Sequence, residues 1–399
     1  MRDGDKNPGR TLIYMAVALA LWGGKKVPAA PSLLPENAAL LYYQAFSGAH
    51  DVISRRPLEV NVVLGGRDPN DGLRRWLAYN KDFHQSVRLV DLAVELPLCD
   101  WGAIYAGPDR NVRFLTHGIN SLERVLMLNA HVLVFEGRYR TALEVALKLP
   151  QFADHIGDGD YVLWNTSVGI HASAFRSIRY VLGRMPPEAE TLMWLKREIA
   201  HGPRASWSPR ETLAKWRDME IRGWQAYPDD YARRFLYDSG GDKNARSRSL
   251  DVESVRAAHD LFLEQMLAIL EDDVTYEVKR ARIKQLTDRV MEKAKIDDAT
   301  AIMVAAMHWW EAYYQYHVSS AATVNAVKTA LEIYLATAKE GHLPQTLPEG
   351  LPQDPFSGQD FEYQLADEGF TLRCRVAPID YTAAGNRLKL REYDFKVAE

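Results

Sequence analysis

The side chains best suited to chemistry in this sequence are gathered in one aromatic segment of the C-terminal third. At helical spacing, Trp309, Tyr313 and His317 share one face, and Trp310 and Tyr314 share the neighbouring face. One hypothesis is an aromatic groove that binds a small ligand or a peptide. The alternative is a buried central helix, because aromatic side chains supply much of the area of protein cores. The candidate ligand-binding residues are His308, Trp309, Trp310, Tyr313, Tyr314 and His317.

A second polar group, residues 154–160, brings three carboxylates and an imidazole close together in the sequence. Oxygen-rich loops bind calcium, but a calcium-binding EF-hand loop needs further ligands and a bidentate glutamate at its end, which are absent here. A turn between two helices, with Asp160 capping the second, explains the same residues. The histidines lie singly, and no phosphate-binding, dinucleotide-binding or nucleophile-elbow glycine motif occurs. We therefore assign no catalytic residue, no metal ligand and no cofactor.

The overall composition is that of an ordinary globular protein. The chain is 47% apolar and 26% charged, with a formal net charge of -4. Nucleic acids bind to clustered Lys and Arg, so we expect no nucleic-acid partner. Cys99 and Cys374 are far apart and lie in apolar surroundings, which favours two buried free thiols over a metal site.

The N-terminal residues carry a candidate export signal. A net-positive start precedes an apolar run over residues 12–22, and Lys25 and Lys26 follow it. The run is short for a bilayer, which takes about 20 residues, but it fits the core of a signal peptide. Residues 1–30 are therefore predicted to be a signal peptide or a membrane anchor. This places the protein at the cell envelope, membrane-anchored or periplasmic; the alternative is a buried helix of a cytoplasmic protein.

The elements that position these residues are predicted to be helices over most of the chain. Residues 36–46 form a helix that Pro35 begins and Gly48 ends. An apolar stripe from Phe83 to Val94 predicts a helix that Pro97 ends. Further helices are predicted for residues 161–183, 187–201, 209–236, from 251 onward and 297–339.

The clearest local pattern is a pair of helices between residues 119 and 155. Each helix has one apolar face, and Gly137 forms the turn between them, with the second helix ending before Pro150. The pair resembles one tetratricopeptide unit, and no second copy occurs at a period of about 34 residues. We therefore predict an irregular array of antiparallel helix pairs, in part tetratricopeptide-like.

The tail changes character after Gly341. A linker with several prolines leads to the turn 354–358, Asp-Pro-Phe-Ser-Gly, and alternating patterns follow at 361–365, 370–374 and 388–395. The alternation predicts half-buried antiparallel strands. In the turn, Asp accepts backbone N–H groups, Pro fixes φ, Gly tolerates positive φ and Phe packs on the core.

This order of helix, proline-bounded linker, Asp-Pro-aromatic-x-Gly turn and hairpin resembles the globular head of the major pseudopilins of type II secretion, over residues 330–399. The tail also resembles that of uncharacterised helical bacterial envelope proteins, whose mature chain opens with a segment like residues 35–43, Pro-Glu-Asn-Ala-Ala-x-x-Tyr-Tyr. In pseudopilins a calcium-binding loop comes later. The corresponding residues here, 377–381, lack its cluster of acidic and glycine residues.

Together these patterns predict a mainly α-helical protein. Residues 31–340 form the helical domain, and residues 341–399 form a small α+β, pseudopilin-like cap that shares the helix 297–340. The leading hypothesis is a non-enzymatic, exported or membrane-tethered scaffold that docks another protein, linked to a secretion or pilus-like system. The alternative is an enzyme or small-ligand binder with a pocket between helices near residues 308–317.

Overall fold

A computed structural model shows a mainly α-helical chain with a small antiparallel sheet near the C-terminus, which confirms the predicted mainly α-helical character and the strands of the tail. The structure describes residues 36–101, 110–157, 161–201, 213–214, 216–218, 221, 252–295, 297, 299–300, 303, 310–376, 379–380, 387–388 and 391–397. The predicted N-terminal signal or anchor, Pro35, His308, Trp309 and most of the predicted helix 209–236 lie outside these residues.

The helices of the described part occur along the whole chain. They are α1 (Ala38–Arg55), α2 (Pro57–Leu64), α3 (Asp71–Tyr79), α4 (Lys81–Ala93), α5 (Arg110–Phe135), α6 (Tyr139–Gly157), α7 (Tyr161–Leu182), α8 (Ala189–His201), α9 (Val252–Glu271), α10 (Tyr276–Ala294) and α11 (Trp310–Glu340). The strands are β1 (Glu362–Ala366), β2 (Gly369–Arg373), β3 (Ile379–Asp380), β4 (Arg387–Leu388) and β5 (Glu392–Lys396).

Helix α1 begins at an asparagine cap and passes through the glycine that was expected to end it. The Oδ1 atom of Asn37 accepts the backbone N–H of Ala39 (3.1 Å) and that of Asp100 (2.8 Å), so it satisfies a free donor of the first turn. Gly48 lies inside α1, where a Cβ would stand 2.8 Å from Ser86 Oγ of α4. The prediction that Gly48 ends the helix is wrong, because this glycine allows α1 and α4 to pack closely.

The predicted helix pair is confirmed as α5 and α6. Gly137 takes a φ of 72° in the turn between them, a conformation that suits glycine. The predicted apolar faces are buried, including Leu122 and Leu126 on α5 and Leu143 and Leu149 on α6. The two helices pack against each other and against α7.

Pro150 does not end α6, contrary to the prediction. A proline inside a helix removes one hydrogen bond and costs about 3 kcal/mol. Here the helix continues to Gly157, because Phe152, Ala153 and Ile156 are fully buried beyond the proline. Burial of large apolar side chains contributes about 1.5–3 kcal/mol each, which offsets the cost.

The described residues contain two clusters of buried apolar side chains. The larger one draws on helices α1 to α8, on α11 and on the C-terminal sheet. The smaller one joins α9 and α10 to Leu213, Trp216 and Met303. Tyr314 of α11 packs against both clusters, so this helix lies between them.

The C-terminal sheet has the strand order β1-β2-β5, antiparallel throughout. The two predicted strands at 361–365 and 370–374 are confirmed as β1 and β2, and the predicted third run contains both β4, paired with β3, and β5. Gly369 allows close strand approach, because a Cβ there would stand 2.0 Å from the Phe395 carbonyl oxygen. Strand β5 packs on α7 and α11, and the Tyr334 hydroxyl of α11 donates to the Lys396 carbonyl.

The turn before the sheet is organised by the carboxylate of Asp354, which accepts backbone N–H groups as predicted and is fully buried. Asp354 accepts hydrogen bonds from the backbone N–H of Phe356 (3.0 Å), the hydroxyl of Ser357 (2.8 Å) and the backbone N–H of Arg375 (3.0 Å). The bond to Arg375 ties the turn to the chain that leaves β2. Gly358 ends the turn with a φ of 69°.

Two further features bear on the expected compartment. Cys99 is half-buried and Cys374 is buried, and the two do not form a disulfide with each other. None of the helices in the described ranges is long and apolar enough to cross a membrane, a finding that does not extend to residues 1–30.

Candidate functional site

Only part of the predicted aromatic site can be placed. Trp310 and Tyr313 belong to α11 by their backbone, while the side chains of Tyr314 and His317 are described. His308 and Trp309 lie outside the described residues. The aromatic segment is therefore interpreted below from Tyr314, Tyr316 and His317.

Tyr314 belongs to an aromatic contact that joins three parts of the fold. Its ring stacks on Tyr276 of α10 at a centroid distance of 5.6 Å, and Tyr276 meets Phe356 edge-on at 4.9 Å. The Tyr276 hydroxyl donates to Gln315 Oε1 at 3.3 Å. Aromatic contacts thus connect helix α10 to helix α11 and to the Asp354 turn. Burial raises the pKa of Tyr314 to about 12, which keeps the phenol neutral.

His317 lies one turn further along α11 from Tyr313 and is half-buried. Burial lowers the pKa of His317 to about 4, so the imidazole is uncharged at neutral pH. An uncharged imidazole can both donate and accept a hydrogen bond. His317 therefore offers a neutral polar group and no positive charge.

Tyr316 was not among the predicted site residues, yet it is the most open aromatic residue of this segment with a described side chain. It is 41% exposed, and its hydroxyl lies over Gly169 of α7, where a Cβ would stand 2.6 Å from it. Glu123, Arg176 and Arg391 all act electrostatically on this phenol. Tyr316 thus lies in a polar region between α5, α7 and α11.

Glu123 of α5 is the carboxylate of this polar region. Burial raises its pKa, and the Ser173 hydroxyl donates a hydrogen bond to it. Arg176 Nη2 donates to Ser173 Oγ at 2.5 Å, which links the guanidinium to the carboxylate through the hydroxyl. Ser173 is fully buried, so a substrate cannot reach it as a nucleophile. The sequence feature that could have indicated this polar region is the four-residue spacing of Gly169, Ser173 and Ser177, which lie on one face of α7.

A second polar group holds the loop between α2 and α3. The His131 ring stacks on the Tyr180 ring at a centroid distance of 3.7 Å. The Cζ of Arg184 lies 3.8 Å from the centre of the Tyr180 ring. His131 Nδ1 donates to the Val63 carbonyl at 3.0 Å, and Arg184 donates to the Gly66 carbonyl at 2.9 Å. Burial lowers the pKa of His131 to about 4, so the stacked imidazole is neutral.

The polar residues that precede α7 in the sequence form helix contacts. Asp154 and His155 lie in the last turns of α6, and the rest of the predicted turn, 158–160, lies outside the described residues. Asp154 contacts His171 of α7 at 3.1 Å, and His155 Nδ1 hydrogen-bonds the Tyr42 hydroxyl at 2.9 Å. Within the described ranges, no group of three or more His, Cys, Asp or Glu side chains could hold a metal ion.

A surface groove lies between α2 and α3, with a volume of about 160 Å³. Val63 and Leu73 are buried and form its floor, while Leu58 and Val62 of α2 are 79% and 46% exposed on its wall. Leu58 and Val62 lie four residues apart, so they share one face of the helix. Large apolar side chains held in water beside a groove are typical of protein interaction sites.

Comparison with known proteins assigns no relative. No protein family, no curated protein and no solved structure was found to match the chain.

Proposed function

We propose that the protein is a non-enzymatic helical scaffold that docks another protein through the groove between α2 and α3. The observation that supports this is the exposure of Leu58 and Val62 beside the buried floor of Val63 and Leu73. The loop that completes the groove is held by the turn that follows α7, since Arg184 donates to the Gly66 carbonyl and lies 3.8 Å from Asp68. The lining of the groove also includes the polar residues Glu59, Asp68 and Asn70. A preformed site loses little conformational entropy when a partner binds.

The proposal places the scaffold at the cell envelope, exported or membrane-tethered, in a secretion or pilus-like system. Its support is the apolar run at residues 12–22 and the resemblance of the tail to pseudopilin heads. The long helix α11 and the sheet β1-β2-β5 agree with the helix and strands that this resemblance implies. No reaction is part of the proposal.

Photo-crosslinking in cells tests the docking. A photo-reactive amino acid is placed at Leu58, at Val62 or at the control position Met291, an exposed side chain on α10. We expect the same discrete partner to be captured from Leu58 and Val62 and to be absent at Met291. Capture of the same products from all three positions, or of none from the groove, would remove the docking proposal.

Cell fractionation tests the compartment. The full chain and a chain without residues 1–30 are expressed, and both are followed through cytosolic, periplasmic and membrane fractions. We expect the full chain in the membrane or periplasmic fraction and the truncated chain in the cytosol. Recovery of the full chain in the cytosol would contradict the envelope location and leave the docking groove to be judged by crosslinking.

A further inference from the structure

A cluster of arginines lies where α7 meets the C-terminal sheet. Arg176 and Arg179 are three residues apart on α7, so they lie on adjacent positions of one face. Arg391 immediately precedes β5. The Cζ of Arg179 lies 6.0 Å from the ring centre of Tyr393 in β5, and Arg176 and Arg391 both act on the phenol of Tyr316.

These arginines make no direct ion pair with a carboxylate among the described residues, and Arg176 reaches Glu123 only through the hydroxyl of Ser173. In the part of the chain that the structure describes, no carboxylate lies within 4.0 Å of Arg176, Arg179 or Arg391. The side chain of Arg391 hydrogen-bonds the phenol of Tyr393, and its buried Nε has no hydrogen-bond partner. The pattern elsewhere differs, since Arg280 of α10 pairs with Glu311 of α11 at 2.9 Å. An unpaired cation beside other cations is stabilised by an external anion.

Two carboxylates, Glu123 and Asp394, face the cluster. Glu123 is held by the hydroxyl of Ser173, and burial raises its pKa, which disfavours its charged form. Asp394 accepts a hydrogen bond from Thr371 Oγ1 at 2.8 Å on the sheet. Burial lowers the pKa of Arg179; Tyr393 and Asp394 act in the opposite direction, and Arg176 lowers this pKa further. With three guanidinium groups and two carboxylates, the cluster keeps a net positive charge.

We propose that Arg176, Arg179 and Arg391 form a binding site for a phosphate group, beside the phenols of Tyr316 and Tyr393. Guanidinium groups bind oxyanions through paired hydrogen bonds, and the phenol of Tyr316, which is 41% exposed, adds a further donor. A phosphate carries up to two negative charges and more acceptor oxygens than a carboxylate, so it suits several arginines better than a carboxylate does. This site goes beyond the docking function, because it lies on α7 and β5 and not at the α2–α3 groove.

Thermal unfolding of the purified full chain tests the proposal, with inorganic phosphate titrated at constant ionic strength. Phosphate should raise the midpoint of the wild type and of Arg88→Gln, an exposed arginine of α4 that serves as the matched control. Arg176→Gln and Arg391→Gln should each bind phosphate at least tenfold more weakly. Equal phosphate responses in all four proteins would overturn the site. A wild-type midpoint that phosphate does not change, together with no binding to phosphatidylglycerol vesicles, would also overturn it.

The source of the phosphate is distinguished by a second arm with lipid vesicles. Sedimentation of the protein with phosphatidylcholine vesicles, with and without phosphatidylglycerol, measures headgroup binding. Binding that requires both phosphatidylglycerol and Arg391 assigns the site to a lipid headgroup, whereas binding of inorganic phosphate alone assigns it to a soluble ligand. Where Arg391→Gln does not fold, Arg391→Lys keeps the charge and loses the paired hydrogen bonds, and a partial loss of binding is expected. Binding by neither probe contradicts the proposal, and the groove crosslinks are unaffected by that result.

Discussion

Replacement of Gly118 by alanine should destabilise the protein, although alanine is the better helix former. Gly118 lies inside α5, and a methyl group there would stand 2.4 Å from Cγ and 2.5 Å from Cδ2 of Phe46 in α1. The Phe46 ring cannot move aside easily, because Trp101 stacks on it at 6.1 Å and Tyr43 meets it edge-on at 5.5 Å. The added methyl group must therefore push the two helices apart.

The expected magnitude follows from two opposing effects. Alanine in a helix interior is more favourable than glycine by about 1 kcal/mol. An extra methyl group in a packed core costs about 1–3 kcal/mol. Because three ring carbons of Phe46 lie within 2.8 Å of the new methyl group, the upper end of this cost applies. The free energy of unfolding of Gly118→Ala should fall by about 2 kcal/mol.

Urea unfolding followed by far-UV circular dichroism measures this loss. The control is Gly183→Ala at the end of α7, where the nearest atoms lie at 3.5 Å and the free energy of unfolding should stay equal or rise slightly. In a Phe46→Leu background, which removes the ring, Gly118→Ala should cost less than it does in the wild type. A Gly118→Ala protein as stable as Gly183→Ala would refute the packing of α1 on α5.

Three other measurements address separate parts of the fold. The free energy of unfolding should fall as pH drops from about 6.5 toward 4. In this window the unfolded chain protonates His131, whereas burial holds its pKa in the folded protein at about 4, so the loss is about 3 kcal/mol at most. The same dependence of the unfolding free energy on pH in His131→Gln would contradict this explanation. Asp354→Ala should lower the free energy of unfolding by about 3 kcal/mol, because hydrogen bonds to a buried carboxylate are lost. The control Asp360→Ala, an exposed residue shortly after the turn, should leave the free energy of urea unfolding nearly unchanged. The native thiol of Cys374, whose pKa is raised by burial, should resist a thiol reagent until the protein unfolds; fast modification of the Cys99→Ser protein would show that this thiol is accessible.

Local patterns in the sequence predicted much of the fold. The α5–α6 pair follows from apolar faces at helical spacing, and β1 and β2 follow from strict alternation. The Asp354 turn follows from the chemistry of its own residues, which act on backbone groups two or three positions away. Such features depend on neighbours in sequence, so a sequence alone contains them.

Stop signals were less reliable because tertiary packing overrides them. Gly48 and Pro150 both weaken a helix locally, yet α1 and α6 continue through them. In α1 the missing side chain allows Ser86 to approach, and in α6 the residues after the proline are buried. The gain from packing is not visible in a single segment of sequence.

The polar sites were missed for a similar reason. Glu123, Arg176, Tyr316 and Arg391 come from distant parts of the chain, and only the packing of α5, α7, α11 and β5 brings them together. The aromatic segment near residue 314 was ambiguous because periodicity does not distinguish a ligand groove from a helix with neighbours on several sides. Of the predicted residues in this segment, Tyr314 packs its ring against Tyr276 of α10.

The proposed function depends on docking through the groove between α2 and α3. The affinity for the partner captured at Leu58 tests this docking most directly. Calorimetry compares the wild type with Leu58→Asp and with Leu92→Asp, a similarly exposed leucine on α4. A charge in an apolar contact loses its hydration, so Leu58→Asp should bind at least tenfold more weakly while Leu92→Asp binds as the wild type does. Equal affinities of all three proteins would contradict docking through this groove.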